Sequence, residues 1–343
     1  GRITLNRPRA INALDHEMVT AMAEALDAWE DDPAVETVAI TGAGERGLCA
    51  GGDIVAIHRD AAALAGRDDD AAAAQTPSAA FWRDEYRLNA RIAEYPKPIL
   101  ALMDGIVMGG GVGVSGHASL RVATDRTRLA MPEVGIGLVP DVGGTWLLAG
   151  LDDELGTYAA LTSKNLNGAD AVALGLATHY VPADSLERML AALADHPADE
   201  VLDDYAANPP ASDLDAARGW IAQTFAGDTV PEIVAALEAF DEAGAADALR
   251  RMSGMSPMAS AATLHALRQA RGDASLRDSL HREYRTSLRC LQFPDLAEGI
   301  HAKVIEKGRQ PQWTHQAAAD IAREKIESFT RPLPDGLELT FDQ

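Results

Sequence analysis

The sequence predicts an α/β layered fold with a largely parallel sheet, and two observations carry that prediction. Short apolar or β-branched runs alternate with segments of helical spacing through the first half of the chain. From about Asp152 onward the pattern is mostly helical, with one strand-like interruption at residues 177–181. The composition fits a packed soluble protein: 343 residues, 47% hydrophobic and 24% charged, which excludes disorder for most of the chain. That length calls for one large domain or two smaller ones.

The elements follow in order. Ile3, Thr4 and Leu5 read as the end of a strand, followed by a turn at Asn6-Arg7-Pro8-Arg9. Residues 15–29 have helical spacing, with Met18, Met22, Ala25, Leu26 and Trp29 on one face and Asp15 as the cap. Residues 35–41 form a β-branched run ending at Gly42, hence a buried strand. Residues 98–103 are a second apolar strand, and residues 120–123 and 127–130 are two shorter ones. Between His58 and Ser78 the composition turns to Ala, Asp and Gly, which predicts an exposed, mobile connection, with Asp68-Asp69-Asp70 as a solvated loop. Asn208-Pro209-Pro210-Ala211-Ser212 marks a break. We therefore expect a core over 1–207 and a mostly helical region over 208–343.

Charge narrows the function. Lys and Arg number 30 against 52 Asp and Glu, for a net charge of -22. Nucleic acids and anionic membranes demand a basic surface, so neither is expected as a partner. An anionic ligand must instead be met by backbone dipoles or a few placed cations. The longest uncharged stretch, residues 105–120, is too short and glycine-rich to span a bilayer. Cys49 and Cys290 are the only cysteines, which makes neither a disulfide scaffold nor a CxxC metal site and favours a reducing compartment. No signal-peptide pattern opens the chain, so a cytoplasmic location is expected. Because Gly1 is not a methionine, the chain is expected to lack some native N-terminus or to begin at a processing scar.

Three segments are unlike ordinary core or surface. Leu48-Cys49-Ala50-Gly51-Gly52-Asp53-Ile54 follows a strand and precedes a helix, and its small residues let the backbone approach a ligand. Residues 108–116 (MGGGVGVSG) form a glycine-rich helix start that points free N–H groups at a negative oxygen. They contain a formal G-x-G-x-x-G at 111–116. Too few residues separate Gly116 from the next strand at Leu120 for a dinucleotide-binding crossover, which needs a helix of roughly ten residues. Residues 131–144 (MPEVGIGLVPDVGG) place Glu133 and Asp141 among apolar residues, glycines and prolines, where partial desolvation raises a carboxylate's pKa. Pro132 suits a first helical turn, and Asp141 suits a helix cap as well as chemistry. Nothing adjacent in sequence pairs with Glu133. His58, His117 and His179 lack metal-ligand spacing, and G-V-S-G around Ser115 is not a nucleophile elbow.

Taken together these segments resemble the crotonase (enoyl-CoA hydratase/isomerase) superfamily. The matching motifs run in order: Leu5-Asn6-Arg7-Pro8 with Asn12-Ala13-Leu14, then Cys49-Ala50-Gly51-Gly52-Asp53, Gly109-Gly110-Gly111 and Met131-Pro132-Glu133. The resemblance implies a spiral of ββα units with a helical C-terminal region. It also implies an acyl-CoA thioester whose oxygen is held, as it becomes an oxyanion, by the N–H groups of Gly52 and Gly110. One such preorganised donor contributes about 3–4 kcal/mol to transition-state stabilisation. Hydratases of the family carry a second glutamate three residues after the oxyanion glycine; here that position is Gly113, while Glu133 retains the other. Asp141 stands where hydratases have a small residue. This pattern resembles the 3-hydroxyisobutyryl-CoA hydrolase branch. Phe81-Trp82-Arg83-Asp84-Glu85-Tyr86 is similar to that branch's F-x-x-E-Y helix, whose glutamate lies near the substrate. Ser256-Pro257, Glu283-Tyr284-Arg285, Glu298-Gly299-Ile300 and Pro311-Gln312-Trp313 extend the likeness. Lys307-Gly308-Arg309 departs from the branch's lysine-aspartate pair.

The resemblance thus implies hydrolysis of a short β-hydroxyacyl-CoA thioester, as in valine breakdown. Glu133 and Asp141 are the catalytic carboxyls, Gly52 and Gly110 the oxyanion hole, and Glu85 a substrate-binding group. No metal or cofactor is implied; CoA enters as part of the substrate. An enoyl-CoA hydratase or isomerase using Glu133 alone, and a non-catalytic acyl-CoA-binding subunit, are the alternatives. Arg9 and Lys97 are candidates for the CoA phosphates. Relatives form trimers or pairs of trimers, whereas this longer helical C-terminus could fold back over its own site, so oligomers, a dimer and a monomer all stay open.

Overall fold

Short runs of apolar residues become short strands, and helices carry the chain between them. The computed structural model describes residues 1–341. Strands β1 (Arg2–Leu5), β2 (Val38–Gly42), β3 (Gly47–Cys49), β4 (Ile99–Met103), β5 (Ile106–Met108), β6 (Leu120–Ala123), β7 (Arg128–Ala130) and β8 (His179–Tyr180) form two sheets. One has the order β1-β2-β4-β6-β8 and the other β3-β5-β7. All of their ladders are parallel. Successive passes lay one strand in each sheet, β2 then β3, β4 then β5, β6 then β7, which is the ββα spiral. Central β4 (ILALM) is buried at all five positions, so it reads as a continuous apolar run rather than an alternation.

Contacts group the described chain into two units that interleave along the sequence. Unit 1 comprises Gly1–Gly52, Asp84–Ala130 and Asn165–Ala216 and contains both sheets. Its apolar cluster joins Leu100, Leu102 and Val122 to Val181, Leu186, Met189, Val201 and Leu202. Helix α1 (His16–Glu30) buries Val19, Met22 and Leu26, while Met18, Ala25 and Trp29 are only half-buried. Asp15 caps it, accepting from the Met18 N–H at 2.9 Å. The strand expected at 35–41 begins only at Val38, because residues 32–35 turn through a Val35 N–H to Asp32 carbonyl bond.

Unit 2 comprises Asp53–Arg83, Met131–Lys164 and Ala217–Gln343, and its described part is helical. Tyr158 packs edge-on against Trp220 and Phe225, with ring centroids 5.6 and 5.3 Å away. The helix Leu276–Gln292 buries Leu280, Tyr284, Leu288 and Leu291. The stretch after His58 is more helical than expected, and its longest exposed non-helical connection is residues 65–69. Helices α2 (Ile54–Leu64) and α3 (Asp70–Ala74) occupy most of it and lead into α4 (Pro77–Ala93). Ala61, Leu64, Ala73 and Ala74 are buried, because alanine at helical spacing is a good helix former that also packs closely. Of the acidic run, Asp68 and Asp69 lie exposed and outside any helix, as a solvated loop would, while Asp70 opens α3. Asp69 caps α3, accepting from the Ala72 N–H at 3.0 Å, and Asp70 pairs with Arg289 at 3.1 Å. Among the described residues no helix is long and apolar enough to cross a membrane.

Candidate active-site residues

In unit 1 the site is made of backbone. Strand β3 ends at Cys49 and turns through Gly51, whose φ of 111° favours glycine. The bridge to Leu14 uses the Gly51 carbonyl, which accepts from the Leu14 N–H at 2.8 Å. Strand β5 ends at Met108, and Gly109 turns at φ 50° into helix α5 (Gly110–Gly116). As the first helical residue, Gly110 has no intrahelical acceptor for its N–H. The two turns lie against each other. A Cβ placed on Gly110 would stand 3.4 Å from the Gly52 nitrogen and 2.5 Å from Glu85 Oε1. The Glu85 carboxyl therefore lies against the bare Cα of Gly110, and a side chain at Gly110 would have to displace it. Glu85 lies on α4 and is 2% exposed. Its charge and burial together push the Cys49 thiol up to about 12, burial being the larger cause. Structure thus brings Gly52, Gly110 and Glu85 together.

Unit 2 holds the other carboxyls. Glu133 opens a 3-10 turn (Glu133–Ile136) after Pro132 and is 5% exposed. Its Oε2 is buried with no hydrogen-bond partner. Its pKa is raised well above the usual carboxylate range, first by burial, then by the charges of Asp141 and Glu283. Asp141 is 4% exposed. In the helix that follows, α6 (Gly144–Ala149), Gly143 occupies the cap position and offers no side chain. Glu283, from the middle of helix Leu276–Gln292, supplies acceptors there. It accepts from the Gly143 N–H at 2.6 Å, the Thr145 N–H at 2.8 Å and the Thr145 hydroxyl at 2.5 Å. Glu283 is 1% exposed, and burial pushes its pKa up to about 8 despite the three donors. Glu133 and Asp141 thus share a buried acidic cluster with a third carboxyl.

Sequence reasoning gave Glu283 no role. It is one of many charged residues in its helix, and its partners lie about 140 positions away. A signal was nevertheless present: Leu280, Glu283, Ser287 and Leu291 fall on one face at helical spacing, so an acid interrupts an apolar stripe. Other candidates resolve blandly. Ser115 donates to the Gly111 carbonyl inside α5 at 2.7 Å. His58 lies 5.7 Å from the ring of His301, and His179 bonds Thr178 at 2.8 Å. Lys97 is no free cation for a phosphate, because Nζ donates to the carbonyls of Trp29 at 2.6 Å and Asp32 at 2.7 Å. Asp53 stands at the cap position of α2 without a capping bond. Among the described residues no group of three or more His, Cys, Asp or Glu is arranged to hold a metal ion.

Comparison with known proteins places this arrangement in a class. The family model described as enoyl-CoA hydratase/isomerase matches residues 1–330, and the chain belongs to that family. A solved carnitinyl-CoA dehydratase from Mycobacterium thermoresistibile superposes with a TM-score of 0.93 at 48% identity, covering 100% of this chain and 96% of that one. An enoyl-CoA hydratase from Rhodobacter sphaeroides 2.4.1 gives 0.90 at 41% identity, covering 99% and 97%. Curated relatives carry a different reaction in their names. The mitochondrial 3-hydroxyisobutyryl-CoA hydrolase of Xenopus laevis is 38% identical over 339 residues, 96% of this chain and 85% of its own length. The human protein of that name is 36% identical over 348 residues, 97% and 86%.

Proposed function

We propose that the chain hydrolyses a short β-hydroxyacyl-CoA thioester, 3-hydroxyisobutyryl-CoA, to the free hydroxy acid and CoA. The acid/base inventory carries this reading. Syn hydration in this family uses two glutamates, and Gly113, buried within α5, stands in place of one of them. What the chain retains is Glu133, desolvated and with one oxygen unpartnered. The names of the curated hydrolases support the same reaction. The names of the two solved relatives favour hydration or dehydration, so that reading is the rival to test.

In this reading the N–H groups of Gly52 and Gly110 donate to the thioester oxygen as negative charge develops on it. Glu133 supplies the carboxylate, by one of two routes. It attacks the carbonyl carbon, expelling CoA thiolate and leaving a mixed anhydride that water cleaves, or it takes a proton from water that attacks directly. Asp141 orients the acyl hydroxyl or the water, or manages the proton that the thiolate needs. Glu85 holds the substrate hydroxyl or supports Glu133. Burying acids that need a hydroxyl partner selects against acyl groups lacking one. The reaction calls for no metal or redox cofactor, since CoA arrives on the substrate. The curated relatives are named as mitochondrial; for this chain, buried free Cys49 and Cys290 fit a reducing compartment, the cytoplasm included.

Two assays on the purified chain decide the reaction: release of free thiol from 3-hydroxyisobutyryl-CoA, and hydration of an enoyl-CoA. Thiol release without hydration is the expected result. Hydration alone makes the chain a hydratase. Single turnover in ¹⁸O-labelled water tests for the anhydride: label in the Glu133 carboxyl shows water attacking the Glu133 carbonyl of an anhydride, and hydroxylamine trapping detects an anhydride that water cleaves at the acyl carbon instead.

A further inference from the structure

We infer that Glu283 is a positioning residue for the proposed thioester hydrolysis, clamping the loop that carries Asp141. The inference rests on the functional reading above and adds a residue to it. The loop needs a clamp. Val142 has φ 55° and Gly143 φ 78°, two successive left-handed residues. A β-branched side chain strongly resists that conformation, so surrounding bonds must hold it. The Asp141 carbonyl accepts from the Gly144 N–H at 2.6 Å, closing the turn from within. From outside, Glu283 collects the Gly143 N–H on Oε2 and both donors of Thr145 on Oε1. All three bonds are buried. One carboxyl thus fixes the backbone on the C-terminal side of Asp141 and the start of α6.

The choice of glutamate is chemically specific. Donors converge on both of its oxygens, and a carboxylate accepts at both. Glutamine of the same shape accepts at one end only, and its amide turns a donor against either Gly143 or Thr145. Aspartate is one methylene short. When ionised, Glu283 also adds to the effect of Asp141 in raising the pKa of Glu133, after burial.

The test compares Glu283→Gln and the milder Thr145→Val, which removes only the hydroxyl donor, with the wild-type chain. Thiol release is measured across pH, and amide hydrogen exchange is measured over residues 141–145. For Glu283→Gln we expect kcat to fall about 10- to 100-fold with KM nearly unchanged, the cost of a misplaced group rather than of lost binding. Exchange at Gly143 and Thr145 should accelerate. The acid limb of the pH profile should move to lower pH, because a charge beside Glu133 is gone. Thr145→Val should show a smaller loss of kcat and serves if Glu283→Gln does not fold. A fold defect alone would lower the amount of folded enzyme without moving the pH profile. A folded variant with wild-type kcat and an unmoved profile overturns the inference alone. A wild-type chain that releases no thiol overturns the functional reading first, and this inference with it.

Discussion

The glycine turns of unit 1 and the acidic cluster of unit 2 solve opposite problems. Around Gly52 and Gly110 the chain removes side chains so that main-chain donors stand clear; a carboxyl lies against the bare Cα of Gly110. Around Glu133 the chain adds side chains and strips them of water until their charges resist ionising. The first arrangement is rigid because backbone geometry makes it so. The second depends on which neighbours bury and charge the group. The proposed chemistry uses both kinds: fixed dipoles for a developing oxyanion, and a tunable acid for the proton or the bond.

Several substitutions would break or sharpen this contrast. Glu133→Gln removes the tunable group and should lower thiol release roughly 10²–10⁴-fold, with acyl-CoA binding by calorimetry retained. Retained turnover would take Glu133 out of the mechanism. Gly110→Ala attacks the backbone side. Its Cβ would meet Glu85 Oε1 at 2.5 Å and Leu14 Cδ1 at 3.2 Å, displacing the donor. A fall of about 10²–10³ in kcat is expected, with an unchanged circular dichroism spectrum.

The pH dependence separates the two regions more gently. Because the ionised form of Glu133 is the reactive one in either route, and burial raises its pKa, kcat/KM should rise with pH along an acid limb well above ordinary carboxylate values. A limb near 4.5, the unperturbed value, would mean that the reactive carboxyl is well hydrated.

Stability carries the same sign. Raised folded-state pKa values mean that the folded chain binds protons more tightly than the unfolded one. The contributions of Glu133 and Glu283 are therefore complete below about pH 4.5 and are lost as pH climbs through their folded values, about 8 for Glu283. Tm should fall over that window, and Glu133→Gln should flatten the fall and raise Tm at its alkaline end, as followed by thermal unfolding. Smallest is Asp15→Ala, which touches the cap of α1 and an ion pair with Arg7 rather than a reacting group. Losing the Met18 cap bond should cost about 0.5–2 kcal/mol of stability in denaturant titration and leave kcat alone.

Much of unit 1 could be read directly. Strands β1, β4, β6 and β7 fall close to where the sequence predicts them, and β4, buried at every position, leaves the continuous apolar signature of a central parallel strand. The glycine turns are visible too, as runs of small residues at strand ends. Unit 2 was harder. An Ala- and Asp-rich stretch after His58 reads as mobile by composition, yet the Asp69 cap and Arg289, some 220 positions from Asp70, hold it as helix. Asp141 reads equally as a helix cap or a chemical group. What the sequence does not show is that Glu283 accepts from the Gly143 and Thr145 N–H groups at the start of the helix after Asp141.

What the sequence alone determined is the placement of β1, β4, β6, β7 and α1, the glycines at the two turns and the two carboxyls Glu133 and Asp141. Each depends on local rules of sterics and periodicity that act over a few residues. The tertiary structure decided which acid is desolvated, which caps a helix and which lysine is already engaged. Those outcomes follow from burial and from charges brought close by packing, and both depend on residues far apart in the chain.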